Sequence, residues 1–370
     1  MKAPDLPWQM RASARAILDF PARLRNILSL RNIQRTANPL PVLSFGGVLQ
    51  RREYIHGGAV KLLHLQEGFD VDEKCPNILY LVSSAVPPFV EDLALRMKSL
   101  GVPLVWNQNG VAFPGWAGGE SERFNGPMRS LRSQAAHVVY QSAFCRQAAD
   151  EFLGSWSGRS SVLINPVNLA RFRPAYTPLP ASPLRLLTLG THGYADRVLS
   201  TIQCLYTLLR AGMVATLTIA GKMEWRDAAA EVQDLIRSLE LESFIRVLPA
   251  FSQAEAIALY QEHHIVLHPK YLDPCPTVVL EALSCGLPVV GSATGGLPEL
   301  VPSSAGVLIP APLHWDRMIT PTGLELAAAV QTIAPSLSDF SRAARAHAER
   351  NFSSEAWVES HRAIFQSLLK

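Results

Sequence analysis

The chain contains no charge-free apolar run approaching the about 18 residues a membrane-spanning helix needs, so no segment reads as one. Its five cysteines (Cys75, Cys145, Cys204, Cys275 and Cys285) form no C-x-x-C pair and are odd in number. That argues against a disulfide framework or a zinc knuckle and points to the reduced thiols of a cytoplasmic protein. The net charge of +3 is too small to imply a nucleic-acid partner. Arg11, Arg15 and Asp19 break up any signal-peptide core, and there is no repeat or low-complexity tract. No G-x-G-x-x-G follows an early strand with an acid about 20 residues later, which argues against a nicotinamide oxidoreductase. What the chain does have is bulk. It has 370 residues, 48% of them hydrophobic and 18% charged, enough for two well-packed domains.

The most informative stretch is His268 to Val301, HPKYLDPCPTVVLEALSCGLPVVGSATGGLPELV. Asp273 sits in a Pro-punctuated loop, and Pro276 suits the first turn of a helix, where its missing N–H is harmless. Gly286 ends that helix, and Leu287-Pro288-Val289-Val290 reads as a buried strand. Gly295-Gly296 makes a tight turn before a further helix. The order is that of a parallel α/β sheet. Within the helix, Glu281 lies among Val278, Val279, Leu280, Ala282 and Leu283. A carboxylate in such company needs hydrogen bonds. A ligand with paired hydroxyls, such as ribose, would supply them. A solvent-edge position, or attraction to the positive helix N-terminus, would account for it equally well.

This segment resembles the nucleotide-sugar signature of the GT-B glycosyltransferases, in particular the large retaining family 4. That family shows a Glu, seven residues and a second Glu, then a helix ending A-x-G-x-P-V-V, then a G-G-x-x-E turn. Here Asp273 stands for the first Glu and Glu281 for the second. Ala282 to Val290 and Gly295-Gly296-Leu297-Pro298-Glu299 follow the rest.

The resemblance extends along the chain. Pro41 to Phe45 reads as the first strand, and Gly57-Gly58 precedes a helical run from Ala59, a position that in the family faces the donor diphosphate and the acceptor. Pro103 to Trp106 reads as a strand ending at Asn109, where many members carry His; an amide can bind sugar or phosphate but cannot act as a base. Phe113 to Asn125, with Trp116, reads as an acceptor-side loop or an ordinary connection. Ser142 is a helix N-cap or a ligand contact. In the second half, Leu184 to Leu189 leads into Gly190-Thr191-His192-Gly193, with Arg197 at the start of the next helix. The family uses Arg and Lys here to grip the diphosphate, which assigns that role to Arg197 and His192, with Lys222 as a further candidate; a solvated surface position is the alternative for Arg197.

The resemblance implies an α/β, GT-B fold: two Rossmann-like, doubly wound parallel-sheet domains facing across a cleft. Residues 1–178 would form the acceptor side and 179–353 the nucleotide-sugar side, with helix 354–370 packing back on the first. It implies a retaining transfer of sugar from a nucleoside-diphosphate-sugar to a glycan, lipid-linked or other hydroxyl acceptor in polysaccharide or envelope synthesis. Glu281 would hold ribose and Asp273 would orient the sugar. Pro276, Thr277 and Val278, with Gly190, would meet the phosphates. No cofactor is expected beyond the donor. No metal is expected either, since Asp70-Val71-Asp72 reads as a loop between helix and strand. A nucleotide-sugar 2-epimerase and a non-catalytic scaffold share this architecture. The basic amphipathic stretch 1–40 reads as a helix packed on its own domain, or as one touching an anionic membrane surface from a cytoplasmic location.

Overall fold

A computed structural model describes residues 23–24, 27–49, 58 and 60–370. Gly57 and most of the basic stretch 1–40 lie outside them. Of that stretch, Leu30 and Ile33 are buried, and Arg96 donates to their carbonyls at 3.1 and 2.8 Å.

Two six-stranded sheets organise the chain, with parallel pairing throughout the assigned registers. The first runs β2-β1-β3-β4-β5-β6, from β1 (Val42–Ser44), β2 (Asp70–Val71), β3 (Ile78–Val82), β4 (Leu104–Gln108), β5 (His137–Tyr140) and β6 (Ser160–Val162). The second runs β12-β11-β10-β7-β8-β9, from β7 (Leu184–Leu189), β8 (Ala215–Ala220), β9 (Ile245–Leu248), β10 (Ile265–His268), β11 (Val289–Ser292) and β12 (Gly306–Ile309). This is the expected doubly wound α/β architecture.

The inner strands of the second sheet, β7, β8, β10 and β11, are buried along nearly their whole length because both faces are covered. Leu187, Val266 and Val289 point to one face, against helices Thr277–Ser284 and Leu337–Asn351. Their neighbours Leu186, Leu267 and Val290 point to the other, against Asp196–Arg210 and Gly323–Ile333. A period of two thus serves two cores at once.

Two compact units emerge: residues 1–107, 130–138 and 362–370 in one, 108–129 and 139–361 in the other. In the first, the end of helix Ser354–Leu369 is anchored by Phe365 on Phe69 and Tyr80, at ring separations of 5.1 and 6.0 Å. Arg362 adds a bond to the Gly68 carbonyl at 3.0 Å. The boundary expected at 178/179 falls inside the second unit. Within that unit Phe113, Phe144 and Phe152 all pack around Trp315.

Two expected loops are regular structure. Asp70–Val71 is the edge strand β2, held by its register with Val42 and Leu43. Phe113 to Asn125 is largely helical: Pro114–Ala117, a 3-10 turn at Gly118–Glu120, then Ser121–Arg132. Pro114 starts the first of these, where no amide is needed. The Asn125 side chain bonds both the N–H and the C=O of Ala112 and fixes the segment. Trp116 remains exposed, against Phe124.

Candidate functional site

In the second sheet the first strand, β7, lies between β10 and β8, so the winding direction reverses between β7 and β10. Loops leaving the carboxyl ends of strands at such a reversal diverge and leave room for a ligand. Gly190 to Arg197 leaves β7 there, and Pro269 to Pro276 leaves β10. They come close: a Cβ on Gly190 would stand 3.5 Å from Arg197 Nη2 and 3.6 Å from Val278 Cγ1. Gly190 also has φ +108°, a conformation natural to glycine.

Asp273 is the centre of the β10 loop. It is 7% exposed, and its Oδ2 accepts from His268 Nε2 at 3.1 Å and pairs with Lys270 Nζ at 3.0 Å. Burial alone would raise its carboxyl, but the Lys270 charge and the His268 hydrogen bond prevail and hold it well below the usual carboxylate range. The backbone that aims it is constrained. Leu272 sits at φ 50°, a strained value for a bulky residue, with its amide bonded to Thr294 Oγ1. The Gly295-Gly296 turn presses from the other side: a Cβ on Gly295 would stand 2.4 Å from the Asp273 carbonyl oxygen, and one on Gly296 2.0 Å from that of Pro274. The glycine pair is there for close backbone approach, and Gly296 N–H bonds the Asp273 carbonyl.

Pro276 is the N-cap of helix Thr277–Ser284, one position before the first turn where the sequence places it, and no side chain caps the helix. The amides of Thr277 and Val278 therefore open the helix without an intrahelical acceptor. Gly286 closes it at φ +77° with the paired bonds of a Schellman turn, Leu287 N–H to Ala282 O and Gly286 N–H to Leu283 O.

Glu281 lies one turn into that helix, 7% exposed, so a solvent-edge position is ruled out. The Tyr260 hydroxyl is 2.9 Å from its Oε2 and 3.1 Å from the Val278 carbonyl. Burial pushes the carboxyl up to about 7, against the opposing bonds from Tyr260 and Gln253. The Tyr260 hydroxyl has one proton for two acceptors. When Glu281 is protonated it donates to Tyr260, and Tyr260 donates to Val278. When it is ionised, the hydroxyl turns to the carboxylate.

The cations named from sequence are placed otherwise than expected. Arg197 is 3% exposed, so it is not a solvated surface residue; it donates to the carbonyls of Thr191 and Leu189 at 2.5 and 2.9 Å. Its fork braces its own loop. His192 is fully buried with Nε2 on the Ala220 carbonyl, and burial together with the Arg197 charge brings it down to about 3, so it is neutral. Lys222 is exposed and paired with Glu224 at 2.8 Å. Asn109 accepts from Gln141 Nε2; Gln141 Oε1 accepts from Asn165 Nδ2 at 2.6 Å, which also reaches the Cys275 carbonyl at 3.1 Å. Asn109 is thus tied by amides to the loop that carries Asp273. Ser142 is a true N-cap, accepting from Cys145 N–H, and its hydroxyl also donates to the Pro274 carbonyl at 2.8 Å. Gly58 is half-buried in a short 3-10 turn.

Sequence reasoning missed Lys270, His268, Tyr260 and Gln141. Lys270 and His268 lie inside the stretch that drew attention, three and five residues before Asp273. Tyr260 had no local signal, because it comes from helix Gln253–Gln261 across the core. A shallow depression lined by Arg185, Thr216, Phe244, Arg246 and His263 lies at the amino ends of β7 to β10, the edge opposite these residues. Among the described residues no cluster of His, Cys, Asp or Glu is placed to hold a metal, and no helix is long and apolar enough to cross a membrane.

Residues 179–319 match the family model of glycosyl transferases group 1. The chain is 28% identical to the glycogen synthase of Mycobacterium tuberculosis over 66% of its own length and 56% of that protein's. It is 30% identical to D-inositol 3-phosphate glycosyltransferase of Salinispora arenicola over 43% of its own length and 41% of the relative's. It spans about half the length of these curated relatives. Among solved structures, HepE of Anabaena in complex with UDP superposes with a TM-score of 0.68 at 16% identity, over 89% of this chain and all of that one. A glycosyltransferase of Rickettsia africae gives 0.64 at 16% identity, over 92% and 99%. Both likenesses establish the shared GT-B fold. Residues 179–319, which hold Asp273, Glu281, His192, Arg197, Lys222 and Lys270, are the part of the chain similar to glycosyl transferases group 1.

Proposed function

We propose that the protein is a retaining glycosyltransferase that moves a sugar from a nucleoside-diphosphate-sugar to a hydroxyl acceptor, a glycan or a lipid-linked saccharide. The observation that carries this is the placement of two buried carboxylates around one helix N-terminus at the β7/β10 reversal. Glu281, with no cation bonded to it, takes the ribose hydroxyls in place of Tyr260. The free amides of Thr277 and Val278, at the positive end of the helix, face the phosphates. Asp273, ionised and oriented by His268 and Lys270, meets the sugar hydroxyls. With an amide and not a base at Asn109, the acceptor oxygen attacks from the face the diphosphate leaves, and the departing phosphate takes its proton.

The test is a thermal-shift screen against UDP-, GDP- and ADP-sugars, followed by assay of nucleoside diphosphate release with saccharide acceptors. UDP-glucose is the first donor to try, since HepE has been crystallised with it. A ligand at about 100 times its dissociation constant adds about 2.7 kcal/mol to folded-state stability, a readable shift. Glu281→Ala should abolish donor binding while the circular dichroism stays native. Conversion of donor without any acceptor would point to an epimerase instead. Donor binding untouched in Glu281→Ala would refute the reading.

A further inference from the structure

We propose that Lys270 is the side chain that neutralises the leaving diphosphate. The proposal rests on the donor reading above and names the cation that reading needs. In the transfer, the bond from the anomeric carbon to oxygen breaks with its electron pair passing to the β-phosphate. The acceptor oxygen bonds the same carbon, and its proton goes to the departing phosphate. Charge therefore builds on the diphosphate, and a cation must meet it.

Three basic side chains of the loops around the site, two of them charged, are committed elsewhere. Arg197 has both terminal nitrogens on carbonyls of its own loop. His192 is neutral and enclosed. Lys222 pairs with Glu224 at the surface. Lys270 differs from all three. Its side chain is 36% exposed, while the Asp273 carboxylate it touches is 10% exposed. His268 holds the same Asp273 oxygen from the buried side and is itself kept neutral, brought down to about 4 by burial. Asp273 thus keeps one donor if Lys270 turns away. An ammonium on a four-carbon stem carries three donors and can serve a phosphate oxygen while still touching Asp273. Counting Arg197 and Lys270 against Asp273, the cluster holds two cations and one anion. The surplus positive charge faces solvent at Lys270, a few residues before the open amides of Thr277 and Val278.

The experiment compares each of UDP, GDP and ADP with its parent nucleoside by titration calorimetry. The preference for the diphosphate over the nucleoside isolates the phosphate contact. In wild type one pair should show a strong preference. Lys270→Gln should cut it about 10- to 100-fold, the scale of one charge-assisted hydrogen bond, with nucleoside affinity within about twofold. Lys222→Gln should leave it unchanged. Lys270→Cys should lose the preference and regain it on aminoethylation, which rebuilds a cation of the same length and guards against a folding artefact. An undiminished preference in folded Lys270→Gln overturns the proposal and leaves the donor reading standing. If wild type binds none of the three diphosphates, the donor reading falls and this proposal with it.

Discussion

Asp273 and Glu281 stand eight residues apart, each 7% exposed, one before and one inside the same short helix, and their surroundings shift them in opposite directions. Burial pushes both upward. At Asp273 the push is overcome by Lys270 and His268, which lie on the same carboxylate oxygen. At Glu281 the nearest partners are the neutral hydroxyl of Tyr260 and the amide of Gln253, and burial wins. Enclosure sets the size of the problem, and the charge of the neighbour sets its sign. The division suits the proposed chemistry. A fixed anion orients a sugar, while a carboxyl near its titration point can receive ribose hydroxyls as it ionises.

The widest separation between the two should appear on neutralising each in turn. Asp273→Asn leaves Arg197 enclosed and Lys270 without its counter-charge, a change on the order of 3 kcal/mol or more at pH 7. Glu281→Gln replaces a nearly neutral group by its neutral isostere, which has no proton to lose on unfolding, and should match or exceed wild type at pH 6. Urea midpoints of the two variants beside wild type decide it. Equal losses would break the comparison.

The pH dependence comes next in size, with opposite signs at the two sites. Glu281 has a folded value of about 7 against an ordinary 4.5, so the folded state binds that proton more tightly. Its contribution is complete below about pH 4.5 and is lost as pH rises through 7, a difference of about 3 kcal/mol over the whole range. Asp273, held low, contributes stability that is present above its ordinary 3.8 and lost as pH falls. His192, His263 and His268 are brought down to about 3, 4 and 4, so they too lose stability on acidification, from about pH 6.5 downward. Wild type minus Glu281→Gln isolates the alkaline limb. That difference should become steadily more negative from pH 5 to about pH 7 and level off above it, and a flat difference would show that Glu281 is not protonated in the fold.

Nucleotide binding sharpens the same point with a smaller effect. If ribose requires the ionised carboxylate, binding at pH 6 should release up to one proton, and affinity should rise up to about tenfold per pH unit below 7. Calorimetry in buffers of different ionisation heat counts the proton. Release that persists in Glu281→Gln would assign the proton to another group.

How much of this was legible in advance follows from where the determinants lie in the chain. The inner strands of the second sheet announce themselves because burial on both faces makes them predominantly apolar. Leu184–Leu189 has the bounds its sequence suggests, while the strand read at Leu287 to Val290 begins two residues later, at Val289–Ser292. The two carboxylates stand out as acids in apolar or Pro-rich company. Charge state does not show, because it depends on partners. Lys270 and His268 are near in sequence but look like surface and strand-end residues, and Tyr260 arrives from 21 residues away. Arg197 is the converse case. A cation at a helix start suggests an open phosphate grip, and only the fold shows its nitrogens turned inward to Leu189 and Thr191.

The finest test of the comparison is Tyr260→Phe, which deletes one oxygen and leaves the ring in its core position against Phe172. The hydroxyl stabilises the ionised form of Glu281, so its loss should move that carboxyl further above 7 and cost about 1 kcal/mol near neutral pH. The sign is fixed by linkage: a higher folded value shifts the alkaline loss of stability to higher pH and enlarges its total. Asp273, with no bond to Tyr260, should keep its acid limb unchanged. Urea midpoints from pH 5 to 9 would show the displaced limb. An unmoved curve would mean that enclosure by the helix alone sets Glu281, and that the neighbour's oxygen has no part in it.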